Sequence, residues 1–102
     1  MKKVLLGILL GVMTMMSALA QSKTITGKVT SSEEPQGVPG ASIVVKGTTV
    51  GAITDIDGTY SINVPENATT LVFSFVGYLT KEVNIQNRSV IDVQLETDVK
   101  VL

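Results

Sequence analysis

The 102-residue sequence has no cysteine, no histidine and no tryptophan, and only two tyrosines, two phenylalanines and three prolines. Without His or Cys there can be no Ser-His or Cys-His nucleophile, none of the usual zinc ligand sets, and not the commonest general base. Any enzyme would have to rest on carboxylates. The lack of Cys also rules out the disulfides on which small exported domains often rely, so stability must come from packing alone. Charge is sparse at 17% of residues.

The first twenty residues read differently from the rest. Met1-Lys2-Lys3 is basic, Val4 to Met16 is almost wholly apolar with Thr14 its one polar residue, and Ala18-Leu19-Ala20 is a small-x-small ending. These are the three regions of a secretory signal peptide. The apolar run falls short of the roughly 20 residues needed to span a bilayer as a helix. Cleavage is expected between Ala20 and Gln21, and with no Cys after it no lipid anchor is expected. The remaining 82 residues make one domain, near the lower size limit for an unaided core. That part keeps six basic and all nine acidic residues, a net charge of about −3 that does not favour nucleic acid or anionic lipid.

From Lys23 onward, short runs rich in Val, Ile and Thr alternate with Gly, Pro, Asn and Asp clusters, the pattern of an all-β domain. The expected strands are Lys23–Val29, Ala41–Lys46, Val50–Thr54, Thr59–Val64, Thr70–Val76, Leu79–Ile85 and Ser89–Leu95. Period-two alternation puts Tyr60, Ile62 and Val64 on one buried face, and Ile91, Val93 and Leu95 on another. Thr70–Val76 is apolar on both faces, with Leu71, Phe73 and Phe75 on one side and Val72 and Val76 on the other, and is expected to be the central strand.

Glu33 to Gly40 is expected to be a long surface loop, its prolines fixing φ and its glycines permitting positive φ. Asp55-Ile56-Asp57-Gly58 reads as a tight hairpin with Asp side chains capping turn amides. Gly77-Tyr78 forms another break, with the Tyr78 ring expected over the sandwich edge and its hydroxyl in water.

Asp55 and Asp57 are the only close acidic pair outside the Glu33-Glu34 loop, and turn chemistry accounts for both better than catalysis does. Asp55, Asp57, Thr59, Ser61, Asn63 and Glu66 fit the ligand spacing of an EF-hand. Tyr60, however, stands where that loop needs glycine, and no helices flank it. Asp55 and Asp57 are thus at most a weak calcium candidate, and no cofactor or catalytic residue is expected. The triplets Asn67-Ala68-Thr69 and Asn87-Arg88-Ser89 match a glycosylation signal too common to carry weight.

The series Ile25-Thr26-Gly27-Lys28-Val29, Gly37-Val38-Pro39-Gly40-Ala41-Ser42-Ile43, Lys46-Gly47-Thr48-Thr49, Thr54-Asp55-Ile56-Asp57-Gly58-Thr59-Tyr60 and Leu71 to Tyr78 resembles the carboxypeptidase-regulatory-like domain over residues 23 to 96. The likeness is to the form at the N-terminus of SusC/RagA-type TonB-dependent outer-membrane transporters of Bacteroidetes. It implies a seven-stranded antiparallel Greek-key β-sandwich of the transthyretin type. Gly27, Pro39, Gly40, Gly47, Asp55, Asp57, Gly58, Tyr60, Phe73, Phe75, Gly77 and Tyr78 would be its turn and core residues, with Gly27 and Gly47 punctuating strands. It further implies a non-catalytic periplasmic accessory domain in a glycan or peptide importer, partnered by the rest of the transporter system. The sequence stops near where such transporters continue into plug and barrel, and 82 residues cannot form a membrane barrel. The expectation is an N-terminal fragment or, alternatively, a free-standing periplasmic interaction module.

Overall fold

A computed structural model describes residues 22–98. The expected signal peptide and its cleavage point at Ala20 and Gln21 lie outside them. Seven strands form in chain order: β1 (Ser22–Ser31), β2 (Ser42–Val45), β3 (Gly51–Ile53), β4 (Thr59–Pro65), β5 (Thr70–Ser74), β6 (Lys81–Asn84) and β7 (Val93–Leu95). They build two facing sheets, three-stranded β4-β1-β7 and four-stranded β3-β2-β5-β6.

The core between them follows the alternation in the sequence. Ile25 and Val29 of β1, Ile43 and Val45 of β2, Tyr60, Ile62 and Val64 of β4, Leu71 and Phe73 of β5, and Val93 and Leu95 of β7 all turn inward and are buried. Ile91 and Ile85 join them from the flanking segments. The outward neighbours Thr59, Ser61 and Asn63 remain in water.

Several expectations change. The sandwich is not wholly antiparallel, because β1 pairs antiparallel with β4 through Lys28 and then parallel with β7 from Val29 to Ser31. The last strand begins at Val93 rather than Ser89, although the chain runs beside β1 earlier: Thr26 donates its N–H to the Ser89 carbonyl and Ile91 donates to that of Thr26. Between the two stretches, the Asp92 carboxylate takes the Lys28 N–H at 2.9 Å, a side chain replacing a main-chain acceptor in the ladder.

β5 does lie in the interior of its sheet, between β2 and β6, but it ends at Ser74. Val76 is 90% exposed and Phe75 only half-buried, so the apolar run outlasts the strand. The Asp55–Gly58 segment is a tight turn without being a hairpin, since β3 belongs to one sheet and β4 to the other. It closes locally through Gly58 N–H to the Asp55 carbonyl and Asp55 N–H to that of Thr59, then passes the chain across the sandwich. The Glu33–Gly40 loop lies on the surface except for Val38, which is fully buried.

Candidate functional site

Three of the sequence motifs, those around Val29, Gly37–Ala41 and Thr54–Thr59, meet in one corner of the sandwich and contact one another there. Asp55 is the anchor of the turn. Its Oδ1 accepts the N–H groups of Asp57 and Thr59, both at 3.0 Å, and its Oδ2 accepts the Thr59 hydroxyl. These bonds favour the ionised form, the Thr59 hydroxyl most of all, and hold the Asp55 carboxyl below its ordinary pKa although it is fully exposed. A carboxylate so engaged is a poor general acid. Asp57 contributes its main-chain N–H to this arrangement.

The Glu33–Gly40 loop lies directly against that turn. A Cβ on Gly37 would fall 2.0 Å from the Asp57 carbonyl oxygen, and one on Gly58 would fall 2.6 Å from the Gly37 Cα. Both glycines have positive φ, so two backbones touch where no side chain fits. Gly58 also hands its carbonyl to the Val29 N–H at 2.8 Å, and Val38 donates to the Val29 carbonyl at 2.8 Å.

Thr54 locks the same corner from within. It is buried, its hydroxyl donates to the Val38 carbonyl at 2.6 Å and accepts the Ala41 N–H at 2.8 Å, and its own carbonyl accepts Gly40 N–H. Pro39, which has no N–H to satisfy, sits in the middle of this hydrogen-bonded loop. Sequence reasoning passed over Thr54 because a threonine at a strand end looks like ordinary β propensity.

Tyr60 follows directly on the Asp55 turn, opposite Gly27 of β1, and is buried. Its hydroxyl donates to the Ile91 carbonyl at 2.6 Å, and its ring meets Phe73 edge-on at a centroid distance of 5.6 Å. Burial, reinforced by the nearby Asp92 charge, pushes the phenol pKa up to about 12. Gly27 does not punctuate β1 but lies inside it, and a Cβ there would come 1.8 Å from the Ile91 oxygen and 2.9 Å from the Tyr60 ring. Gly47, by contrast, has a positive φ of 82° in the turn between β2 and β3.

Tyr78 forms a third fastening. Its hydroxyl is not left to water but lies 3.1 Å from Oγ of buried Ser31, which also accepts the Glu34 N–H. Its ring leans on Phe75 at 6.0 Å. The flanking backbone takes up the segment after β7: Leu79 donates to the Glu96 carbonyl, Tyr78 bridges Thr97, and Asp98 donates to the Gly77 carbonyl.

The structure thus brings Gly58, Asp55, Asp57, Gly40 and Pro39 together and places Gly27, Tyr60 and Phe73 around a second contact. Asp55 and Asp57 both lie in the turn, and among the described residues no group of three or more acidic residues converges. Nor is any helix there long and apolar enough to cross a membrane. The one charged pair bridged at short range among them is Lys46 with Glu82 at 2.7 Å, largely in solvent.

Comparison with known proteins agrees with this architecture. The profile of the CarboxypepD_reg-like domain matches residues 25–102. Two TonB-dependent receptors of Formosa agariphila are 42% and 48% identical over 79 and 77 residues, covering 78% and 76% of this chain and 8% of each receptor. The TonB-dependent receptor SusC of Bacteroides thetaiotaomicron is 38% identical over 104 residues, covering the whole of this chain and 10% of SusC. The chain therefore spans about a tenth or less of the length of these relatives.

Among solved structures, two mutant type II cohesin–X-dockerin complexes of Acetivibrio cellulolyticus each contain a chain with a related fold. One gives a TM-score of 0.52 at 23% identity, over 71% of this chain and 52% of the other. The second gives 0.51 at 28% identity, over 74% and 52%. The fold is a two-sheet β-sandwich, and the protein belongs to the CarboxypepD_reg-like domain family, with TonB-dependent receptors, SusC among them, as its relatives.

Proposed function

We propose that this chain acts as the exported, non-catalytic N-terminal accessory domain of a SusC-like TonB-dependent transporter that imports glycans or peptides. In this reading, residues 1–20 are a signal peptide and the domain from Gln21 lies in the periplasm beside the outer membrane. The observation that carries the proposal is the match to SusC along the whole of the chain, residues 1–20 included, while that match takes up only 10% of SusC.

The chemistry of the motif residues supports a non-catalytic role. Asp55, Thr54, Gly58, Tyr60 and Tyr78 are each committed to an internal contact that holds loop to strand or strand to segment. Groups committed in this way build a rigid module rather than a reaction centre.

Two measurements test the reading. N-terminal sequencing of the exported product should begin at Gln21. An antibody against residues 23–96 should detect a large outer-membrane polypeptide. Detection of nothing but a small soluble periplasmic species would overturn the transporter assignment and leave a free-standing interaction module.

A further inference from the structure

We propose that the domain is built as a load-bearing link, in which tension between Ser22 and Asp98 falls on a parallel pairing of β1 with the 89–95 segment that resists it in shear. This property is independent of the transporter reading proposed above.

The parallel contact is longer than β7 itself. Thr26 pairs with Val90, and Val29, Thr30 and Ser31 pair with Val93, Gln94 and Leu95. Each partner lies the same 64 positions further along the chain, as Asp92 does from Lys28. One register therefore runs from Thr26 to Ser31.

The rung missing from its middle has a visible cause. A parallel ladder in this register would send the Lys28 N–H to the Ile91 carbonyl. That carbonyl is taken by the Tyr60 hydroxyl at 2.6 Å. The Asp92 carboxylate accepts the Lys28 N–H instead at 2.9 Å, so the segment stays tied to β1 where the main chain lets go. Gly27 makes room for the Ile91 oxygen, which a Cβ would meet at 1.8 Å. Next to this gap Thr26 donates to the Ser89 carbonyl at 3.0 Å and Ile91 donates to that of Thr26 at 2.8 Å. Ile91, Val93 and Leu95 anchor the segment in the core.

Direction decides what such a pairing does under load. β1 starts at Ser22 and β7 leads out toward Asp98, and because the strands are parallel these two ends point opposite ways along one axis. Pulling them apart slides one strand along the other and loads every bond across the pair together. The pairing of β1 with β4 is the contrast. It is antiparallel, with Ser22 opposite Pro65, so pulling those two ends apart opens the ladder one rung at a time. Residues 96–98 are held to 77–79 by two main-chain bonds and bury no side chain fully, so they peel first and pass the load to Leu95.

Single-molecule pulling tests the link, and a chain with no cysteine of its own accepts attachment points at chosen positions. Forced unfolding reads the barrier along the pulled direction. At one pulling speed, the chain held through Ser22→Cys and Asp98→Cys should rupture at a force at least about twofold that of the chain held through Ser22→Cys and Glu66→Cys, where rungs break singly. Asp92→Ala should lower the first force and leave the second unchanged, while Asp92→Asn, which keeps an acceptor oxygen, should match the parent. Equal forces for the two attachments would overturn the proposal. An Asp92→Ala loss of the same size in both would assign Asp92 to general stability and overturn its place in the clamp.

Discussion

The hydroxyl of Thr54 donates to the carbonyl of Val38 at 2.6 Å, joining the end of β3 to a loop sixteen residues earlier in the chain. The same oxygen accepts the N–H of Ala41, so one side chain satisfies two buried backbone groups. Replacing it with a shape-matched apolar residue strands both. Thr54→Val should therefore cost about 2–4 kcal/mol, since each unmet buried polar group costs about 1–3 kcal/mol. Thr54→Ser, which keeps the hydroxyl, should lose less than about half of that in urea unfolding.

Gly27 faces a harder constraint, because no side chain can yield to relieve it. The atom a Cβ would strike, 1.8 Å away, is the Ile91 carbonyl oxygen that accepts the Tyr60 hydroxyl. Gly27→Ala must push the 89–91 segment off β1 or displace the Tyr60 ring. A loss of about 2–4 kcal/mol is expected, at the upper end of overpacking costs. Gly47→Ala is the comparison: its added methyl meets nothing within 4 Å, and only the strain of its positive φ applies. That cost should stay near about 1 kcal/mol.

What the sequence made legible follows from period. Alternation over Tyr60, Ile62 and Val64 needs only neighbouring residues, so strand positions and inward faces can be read directly. Strand partners cannot be read that way. The Asp55–Gly58 signature is the same whether its strands pair with each other or part into different sheets, and only the partners of β3 and β4 decide. The parallel β1–β7 pairing was hidden for the same reason, since Val29 and its partner Val93 lie 64 positions apart along the chain and no local pattern records the contact. At the motif corner, the capping role of Asp55 was legible because an Asx turn is local. The roles of Thr54, Ser31 and Asp92 were not, because each serves a backbone group far away in sequence or polar groups from two separate segments.

Phe73 and Phe75 share one side of an apolar run, yet their environments differ. Phe73 is fully buried against Tyr60, whereas Phe75 lies past the end of β5 and is only half-buried beside Tyr78. Phe73→Ala should cost about 3–5 kcal/mol. Phe75→Ala should cost about 1–2 kcal/mol, in proportion to the smaller area it removes from water. Equal losses in chemical denaturation would mean that the strand continues inward past Ser74.

Stability should be flat near neutral pH and fall on both sides, each limb belonging to a named group. The Asp55 pKa is lowered from 3.8 by its bonds to Thr59 and Asp57, so its contribution is present above that value and is lost as pH falls through the lower native one. Tyr60 is raised from 10.0 to about 12, chiefly by burial, so its contribution is complete below pH 10 and is lost as pH climbs toward 12. Urea midpoints measured against pH should show the acid limb soften in Asp55→Asn and the alkaline limb soften in Tyr60→Phe. A Tyr60→Phe profile parallel to the parent above pH 10 would show that the phenol does not drive the alkaline loss.

Gln86 is the one non-glycine among the described residues with positive φ, at 55°, in the connection that follows β6. The chain accepts this strain because Ile85 on one side is buried in the core and donates to the Thr69 carbonyl, while Arg88 on the other donates its N–H back to the Ile85 carbonyl. The Arg88 guanidinium adds a bond to the Asn84 carbonyl. The turn is thus pinned on both sides, and Gln86 must adopt the backbone that joins them. An L-residue pays about 1–2 kcal/mol in this region, and glycine is free of that cost although it loses more chain entropy on folding. The balance predicts that Gln86→Gly stabilises the domain by about 0.5–1 kcal/mol, a gain of about 2–8 °C in a domain of this size. Gln86→Ala, with the same φ problem and a shorter side chain, should melt with the parent. If Gln86→Gly melted lower than Gln86→Ala, the constraint would come from the Gln86 side chain rather than its backbone.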